Sequence, residues 1–445
     1  MEQSLEAISK EFGINFFEKR KWNGVLRDTV SRTWKFATSI THRRFQARTR
    51  HTRLSQPKWR LPLELLEQIV DHLHNDHSTL CSCALICHAL VASAQHHIFH
   101  RMVIKAENFV SAVLLFLKNP HLTGHVRELY FEAGEGAAFE SLQAVLNGNG
   151  PPKLLRVFAL VIAPRLPNVV RLAFKDVPFD QHVVAMFASS FPRLHSLSLF
   201  DCWFRCNTDL DALLKGHPLI HTLRCGRICS LYGTSDQDAA EPRGAKFTLR
   251  SLKITESNSH IPLTVLPWLV THVEPETLIY SLYQLDQVAK LNETIVEYAT
   301  LRHIHLVLPR WRKEDTREVT ARPPVVAIMP YYPPNLVTLT VDTKLHSLLL
   351  GVHILAQLDP HAFVRLSTVN IIAHINVTEI EAVDTDAWAG MDQTLSVLLS
   401  LASVHFINMC NDSSHVEAGY AAIVKRLPVL RVRKVLSFVA QRPPK

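Results

Sequence analysis

The sequence predicts an α/β chain: a short three-helix module followed by an irregular repeat solenoid. Three observations predict it. Residues 61–101 carry apolar side chains at helical spacing, broken by polar punctuation. After them a pattern of apolar-x-x-apolar-x-apolar recurs, with starts stepping mostly by 25 to 35 residues. Between the copies lie stretches whose apolar residues fall three and four apart, the spacing of a helix with one buried face. At 445 residues and 47% hydrophobic, the chain can bury a sizeable core and is not of disordered composition.

In chain order the sequence divides into a basic arm (1–57), the helical module (58–101), the repeat region (102–440) and a short tail (441–445). The net charge of +8 sits almost wholly in the arm. Residues 1–60 hold 14 basic against 5 acidic side chains, and the remainder 34 against 35. From 29 to 60 there is no acidic residue, and Trp34, Phe36, Phe45 and Trp59 interleave with Lys35, Arg43, Arg44, Arg48 and Arg50. Such a stretch suits contact with phosphate backbones or a nuclear address. It equally suits a solvated, mostly unstructured arm with a short helix near residues 8–22. A specific nucleic-acid module requires a fold signature, and none is present.

The module opens on Leu61-Pro62, with the proline expected at the first helical position, where its missing N–H leaves nothing unpaired. Leu65, Leu66, Ile69, Val70 and Leu73 then follow at steps that place them on one helical face. Asn75 and Asp76 end the pattern, and Ser78 or Thr79 is expected to cap a second helix carrying Leu80, Ala84 and Leu85. A third helix is expected over about 87–99, with Leu90, Ala94, Ile98 and Phe99. Three short helices bury little by themselves, so the unit needs a neighbouring domain or a partner.

Leu61-Pro62-x-Glu64-Leu65-Leu66-x-x-Ile69, with Leu73, Leu80, Cys83, Leu85 and Cys87, resembles the F-box. His96-His97-Ile98-Phe99 is similar to the end of the third helix in fungal members of that family. The family often has a tryptophan shortly after its last cysteine; Leu90 stands there and keeps the position apolar. The resemblance covers about a tenth of the chain. It implies docking onto a Skp-type adaptor, and through it a cullin, by Leu61, Pro62, Leu65, Leu66, Ile69, Leu80 and Leu85.

Met102-Val103-Ile104 is expected as a short strand and 108–118 as a helix. The repeat then runs through Val126-x-x-Leu129-x-Phe131, Val169-x-x-Leu172-x-Phe174 and, most clearly, Leu194-x-x-Leu197-x-Leu199-x-x-Cys202. Further copies start at Ile220, Leu249, Leu301, Leu336, Leu366, Leu401 and Leu427. The gap of 52 residues between Leu249 and Leu301 is expected to hide one weak unit near 277–283. This motif resembles the leucine-rich repeat, which implies a strand on the inner face and a helix returning outside, stacked into a horseshoe. Returns are expected over 180–191, over 208–214 with Thr208 as its cap, and over 284–299. Residues 154–160 fit no period. The alternative is an ordinary α/β domain of alternating strands and helices.

Cys202-Trp-Phe-Arg-Cys206 and Cys225-Gly-Arg-Ile-Cys229 invite a metal reading. Three intervening residues fit poorly beside the usual Cys-x-x-Cys, however, and Cys202 and Cys225 fall at repeat positions that want a small buried side chain. Cys81, Cys83 and Cys87 are expected to pack within the module. No G-x-S-x-G, Walker-type or G-x-G-x-x-G motif occurs, and 14 glycines are few for phosphate-cradling loops. No cofactor or metal is expected, and the chain reads as a non-catalytic adaptor. No apolar run reaches the ~18 residues of a membrane span. No leader with an apolar core opens the chain, so a cytosolic or nuclear place is expected, with the cysteines as free thiols.

The functional expectation is a substrate receptor of a Skp–cullin–F-box ubiquitin ligase, with the module held by the adaptor and the repeats holding a protein target. Two alternatives stand beside it. One is a repeat scaffold without a ligase. The other is a nucleic-acid-associated protein acting through residues 29–60.

Overall fold

Every copy of the repeat motif except the last becomes a parallel strand in the computed structural model. The structure describes residues 61–86, 88–133, 153–230, 246–255, 266–282, 295, 298–308, 333–343, 348–356, 358–373, 375, 377–409 and 413–440. The basic arm, Cys87, most of the return expected over 284–299, and the tail lie outside them. The chain divides into two units, Met1–Ile220 and His221–Lys445.

The first unit begins with α1 (Leu63–His72), α2 (His77–Ile86) and α3 (His88–His100), and runs directly into β1 (Arg101–Lys105). There follow α4 (Phe109–Lys118), a 3-10 turn (Pro120–His125), β2 (Glu128–Glu132), α5 (Lys153–Val157), β3 (Arg171–Lys175), β4 (Pro178–Phe179), α6 (Gln181–Ala188), β5 (Ser196–Phe204) and α7 (Asn207–Lys215). The strands pair in parallel in the order β1-β2-β3-β5, with β4 pairing beside β5. Their register stacks the motif positions into rows, Met102–Leu129–Leu172–Leu197 and Ile104–Phe131–Phe174–Leu199. In stacked repeats whose returns lie on one side of the sheet, the alternating side chains that meet those returns are the buried ones.

The core of this unit is built on phenylalanine. Phe131 lies 5.1 Å from Phe158 and 6.2 Å from Phe174, and Phe174 lies 5.0 Å from Phe187 between ring centres. All four rings are buried. These tilted ring pairs add to the area they remove from water. Phe158 reaches this cluster from a π-helical turn (Phe158–Ile162) that continues α5. That is why residues 154–160 match no strand period. The cap of α7 also differs from expectation. The helix starts at Asn207 with Cys206 as its N-cap, and Thr208 sits inside it with its hydroxyl 2.8 Å from the Cys206 sulfur.

The second unit contains β6 (Thr222–Ser230), β7 (Phe247–Thr255), α8 (Leu266–His272), β8 (Val273–Ser281), β9 (His303–Val307), β10 (Thr338–Asp342), α9 (Leu348–Ala356) and β11 (Thr368–Ala373). It closes with α10 (Val377–Ala382), α11 (Thr385–Val397), β12 (Ser403–Asn408), α12 (Ser413–Arg426), α13 (Pro428–Val432) and β13 (Leu436–Ala440). Consecutive strands pair in parallel from β6 to β13. The weak copy expected near 277–283 begins within β8, which ends at Ser281. One buried row runs Leu223–Leu252–Leu278–Ile304–Leu339–Val369–Val404, continued at the edge by Leu436.

The copy expected at Leu427 is a correction. Pro428 opens α13 there instead of a strand, and the Asp392 carboxylate accepts the Val429 and Leu430 N–H groups at 2.9 and 3.0 Å. A proline at a first helical position and a buried acceptor for the orphan N–H groups favour a helical turn. The strand starts at Leu436, and counting three residues back from the Val404–Leu436 pair puts Arg433 where Leu401 stands one repeat earlier. Its guanidinium does not enter the core. It donates to the carbonyls of Ser396, Leu398 and Leu401 at 2.7, 3.2 and 3.3 Å.

A turn precedes most strands, with a buried residue whose carbonyl accepts from the N–H three residues on. Leu166 with Val169, Phe191 with Leu194, His217 with Ile220, Pro333 with Leu336, Phe363 with Leu366 and Leu398 with Leu401 all follow it. In four of these the second residue is proline: Pro167, Pro192, Pro218 and Pro334. A proline at that place of a turn pre-sets the backbone angle it needs. This proline turn is a further sequence signal, present ahead of four of these strands.

Candidate docking surface

The helical module is assembled around α3, which packs against both α1 and α2. Pro62 is the N-cap of α1 rather than its first residue, and its carbonyl accepts the Leu66 N–H at 3.3 Å. α2 is capped by Asp76, not by Ser78 or Thr79. The Asp76 carboxylate accepts the Thr79 hydroxyl at 2.6 Å, the Thr79 N–H at 3.0 Å and the Ser78 hydroxyl at 2.9 Å. Those bonds, the Thr79 hydroxyl foremost, lower its pKa to about 2. An aspartate there places its charge on the donor end of the helix.

The apolar arc read on α1 separates into two stripes. Val70 enters the module core with Leu80, Cys83, Ala84, Leu90 and Ala94, and Leu66, Leu73 and Ile98 pack against it. Leu61, Leu65 and Ile69 follow one another four residues apart on the other side, 44 to 49% exposed, with Leu63 and Pro62 exposed beside them. At the end of α2, Leu85 and Ile86 are 53 and 63% exposed.

Of the residues expected to dock, Leu61, Pro62, Leu65, Ile69 and Leu85 are therefore open to a partner. Leu80 is not: it is 1% exposed and belongs to the module's own core, so it is withdrawn from the docking set. Leu66 is half-buried on the same inner side. Leu90, where the resembled family often carries tryptophan, is also core. Leu63 and Ile86 are exposed beside this set, and a helical spacing read alone cannot assign a side to a broadly apolar segment.

The sheet faces opposite the returns offer a second surface in each unit. In the first, Glu128 meets Arg171 at 2.7 Å, and Glu132 meets Lys175 at 2.7 Å and Lys105 at 3.3 Å. Lys175, then Lys105, hold the Glu132 carboxyl below its ordinary value, and Glu132 raises Lys175 to about 12. In the second unit the same face carries rows of hydroxyl, amide and imidazole groups. Thr338, Thr368 and Ser403 make one row, and Thr340, Asn370 and His405 the next. Asn370 donates to Thr340 at 3.0 Å, and His405 bonds Ser437. Such groups present directional hydrogen-bond donors and acceptors rather than apolar area.

Among the described cysteines, Cys83, Cys202, Cys225 and Cys229 are buried and serve packing. Cys202 is fully buried, and its thiol donates to the Phe200 carbonyl at 3.3 Å. Burial pushes it well above the usual thiol range, and pushes Cys225 up to about 12. Thiols held in that state are poor nucleophiles and poor metal ligands. Among the described residues, no three of histidine, cysteine, aspartate or glutamate converge as a metal would require. A groove of about 850 Å³ lies among α10, α11, α12 and α13, lined by Trp388, Asp392, Lys425 and Arg426. Asp392 within it is already engaged by α13, so it offers no free acid group. No described helix is long and apolar enough to cross a membrane.

No family model matches the sequence, and no curated protein matches it. Among solved structures, the chain is similar to one in the crystal structure of the Rad7 and Elc1 complex in yeast. Identity there is 11%, the TM-score is 0.31, and 89% of this chain and 90% of that one are covered. A chain in the crystal structure of a TLR13–ssRNA13 complex matches at 9% identity and a TM-score of 0.21, covering 78% and 55%. With identities and scores this low, the assignment of the chain to an α/β fold of stacked parallel-strand repeats rests on its own strand register.

Proposed function

We propose that the chain is a substrate receptor of a Skp–cullin–F-box ubiquitin ligase. The helical module docks the Skp-type adaptor, and the open sheet faces hold a protein target. One observation carries this reading. The module spends one stripe of α1 on its own core and leaves Leu61, Leu65 and Ile69, with Leu63, Leu85 and Ile86, facing water. Apolar side chains set outside a completed core are what an interface centre needs. In this reading the chain supplies no catalytic group. It acts by raising the effective concentration of the target near the transfer machinery, whose chemistry belongs to other subunits.

The test is co-expression of the full chain with a Skp-type adaptor, alongside Ile69→Asp. A stoichiometric complex with the parent and none with the variant supports the reading. Retention of the complex by Ile69→Asp, with the variant folded, moves docking off this surface.

A further inference from the structure

The first unit gathers histidines where the module meets the first repeat. His96, on α3, has its ring centre 5.2 Å from His97, 6.0 Å from His100 and 5.7 Å from His125. His125 closes the 3-10 turn that packs against α3. His74, in the turn after α1, stands 6.5 Å from His97. Neither the docking surface nor the sheet faces use these groups.

The charges around them are unevenly placed. On the repeat side, His96 faces His125 and Arg127, and His125 faces His121 and Arg127. On its own helix His96 faces His97 and His100. On α1, Asp71 is bonded to His97, Nε2 to Oδ1 at 2.7 Å. α2 meets α3 through Leu80, Cys83 and Ala84, and its own His77 lies against Cys81 at 3.5 Å. On β1, Arg101 is exposed and Lys105 is paired with Glu132. Across the α3–turn contact, a proton on His96 therefore meets the like charge of His125 and Arg127.

We propose that His96 and His125 form a proton-operated latch between the helical module and the first repeat. Neutral, the two rings let α3 seat on the turn; protonated, they repel each other and Arg127, and the contact opens. Burial first, then the neighbouring cations, hold both imidazoles below their ordinary 6.5. The sign follows: the opened form binds protons more readily, so the contact is full above 6.5 and weakens as pH falls below it. The latch would set how firmly α3, and the helices packed on it, are held at the start of the sheet.

Hydrogen exchange on the full chain tests this directly. Between about pH 7.5 and about pH 5.5, opening of residues 88–127 should rise roughly tenfold after correction for chemical exchange, while residues 181–215 stay level. In His96→Gln/His125→Gln the rise in 88–127 should shrink to under about threefold. Raising salt from about 0.1 M to about 1 M should reduce the parent's rise, because charge repulsion is screened. That arm remains decisive if the double variant does not fold. A level response of 88–127 in the parent, an unchanged rise in the folded variant, or indifference to salt overturns the latch.

Discussion

Arg365 donates from Nη1 to the Asn335 side-chain oxygen at 2.7 Å, and Asn335 passes its own amide to the Ala299 carbonyl at 2.9 Å. The same three-repeat staple occurs in the first unit, where Arg193 donates to Asn168 at 3.2 Å and Asn168 donates to the Gly124 carbonyl at 3.0 Å. In both, the asparagine stands just before the repeat's first apolar residue, and the arginine holds the same place one repeat later. The turns are thereby tied in series. Asn335→Ala breaks both bonds and should cost about 1–2 kcal/mol, whereas Arg365→Ala, exposed and making one, should cost under about 1 kcal/mol. Urea unfolding of the two variants measures the difference.

Asp392 joins α11 to α13 across 37 and 38 residues through one part-buried and one buried bond. Asp392→Ala removes a nearly buried acceptor and strands two N–H groups, so a loss of about 2–3 kcal/mol is expected, with Asp392→Asn losing less. Equal losses for the two, in chemical denaturation, would refute the capping role.

Gly216 ends α7 against Ala188, the last residue of α6. A Cβ there would lie 2.7 Å from the Ala188 Cα and 2.8 Å from its carbonyl oxygen, both backbone atoms that cannot turn aside. Gly216→Ala should therefore destabilise by about 1–3 kcal/mol despite the better helix propensity of alanine. A thermal melt of that single variant decides whether close approach or propensity prevails.

The core of the module and the open stripe of α1 make opposite forecasts. Leu80→Ala, in the module core, should cost about 2–4 kcal/mol of local stability and weaken adaptor binding only through unfolding. Ile69→Asp should leave the fold intact and abolish binding. Circular dichroism and hydrogen exchange, read beside the pull-down, separate the two.

Glu132 supplies an acid dependence of opposite origin to the histidines. Lys175 and Lys105 lower its pKa from the ordinary 4.5. Its contribution is thus complete above 4.5 and is lost as pH falls through the lower folded value. Glu132→Gln should flatten the acid limb of a stability profile while leaving the limb near pH 6 to His96 and His125. An unaltered acid limb would show the ladder to be ornamental.

Much of the architecture was legible in the residues. Strands follow from Val126, Leu194, Leu336 and the other copies because alternation is local: which side chains share a face is set by the backbone's two-residue period. The three helices of the module are local in the same way. By itself the sequence determined that these elements exist, and that buried cysteines such as Cys202 and Cys225 stand at packing positions.

What it could not determine is which way a broadly apolar segment turns. Leu65 and Leu66 are adjacent and chemically alike, yet one faces water and the other the core, because α3 lies on only one side of α1. Leu427 looked like a strand start until Asp392, far back in the chain, supplied an acceptor for a helical turn. Leu80 looked like surface until α3 covered it. The histidines of α3 became a cluster only when the turn at His125 packed beside them. In each case the deciding energy is burial or a hydrogen bond to a distant partner, and such terms exist only once the chain has folded.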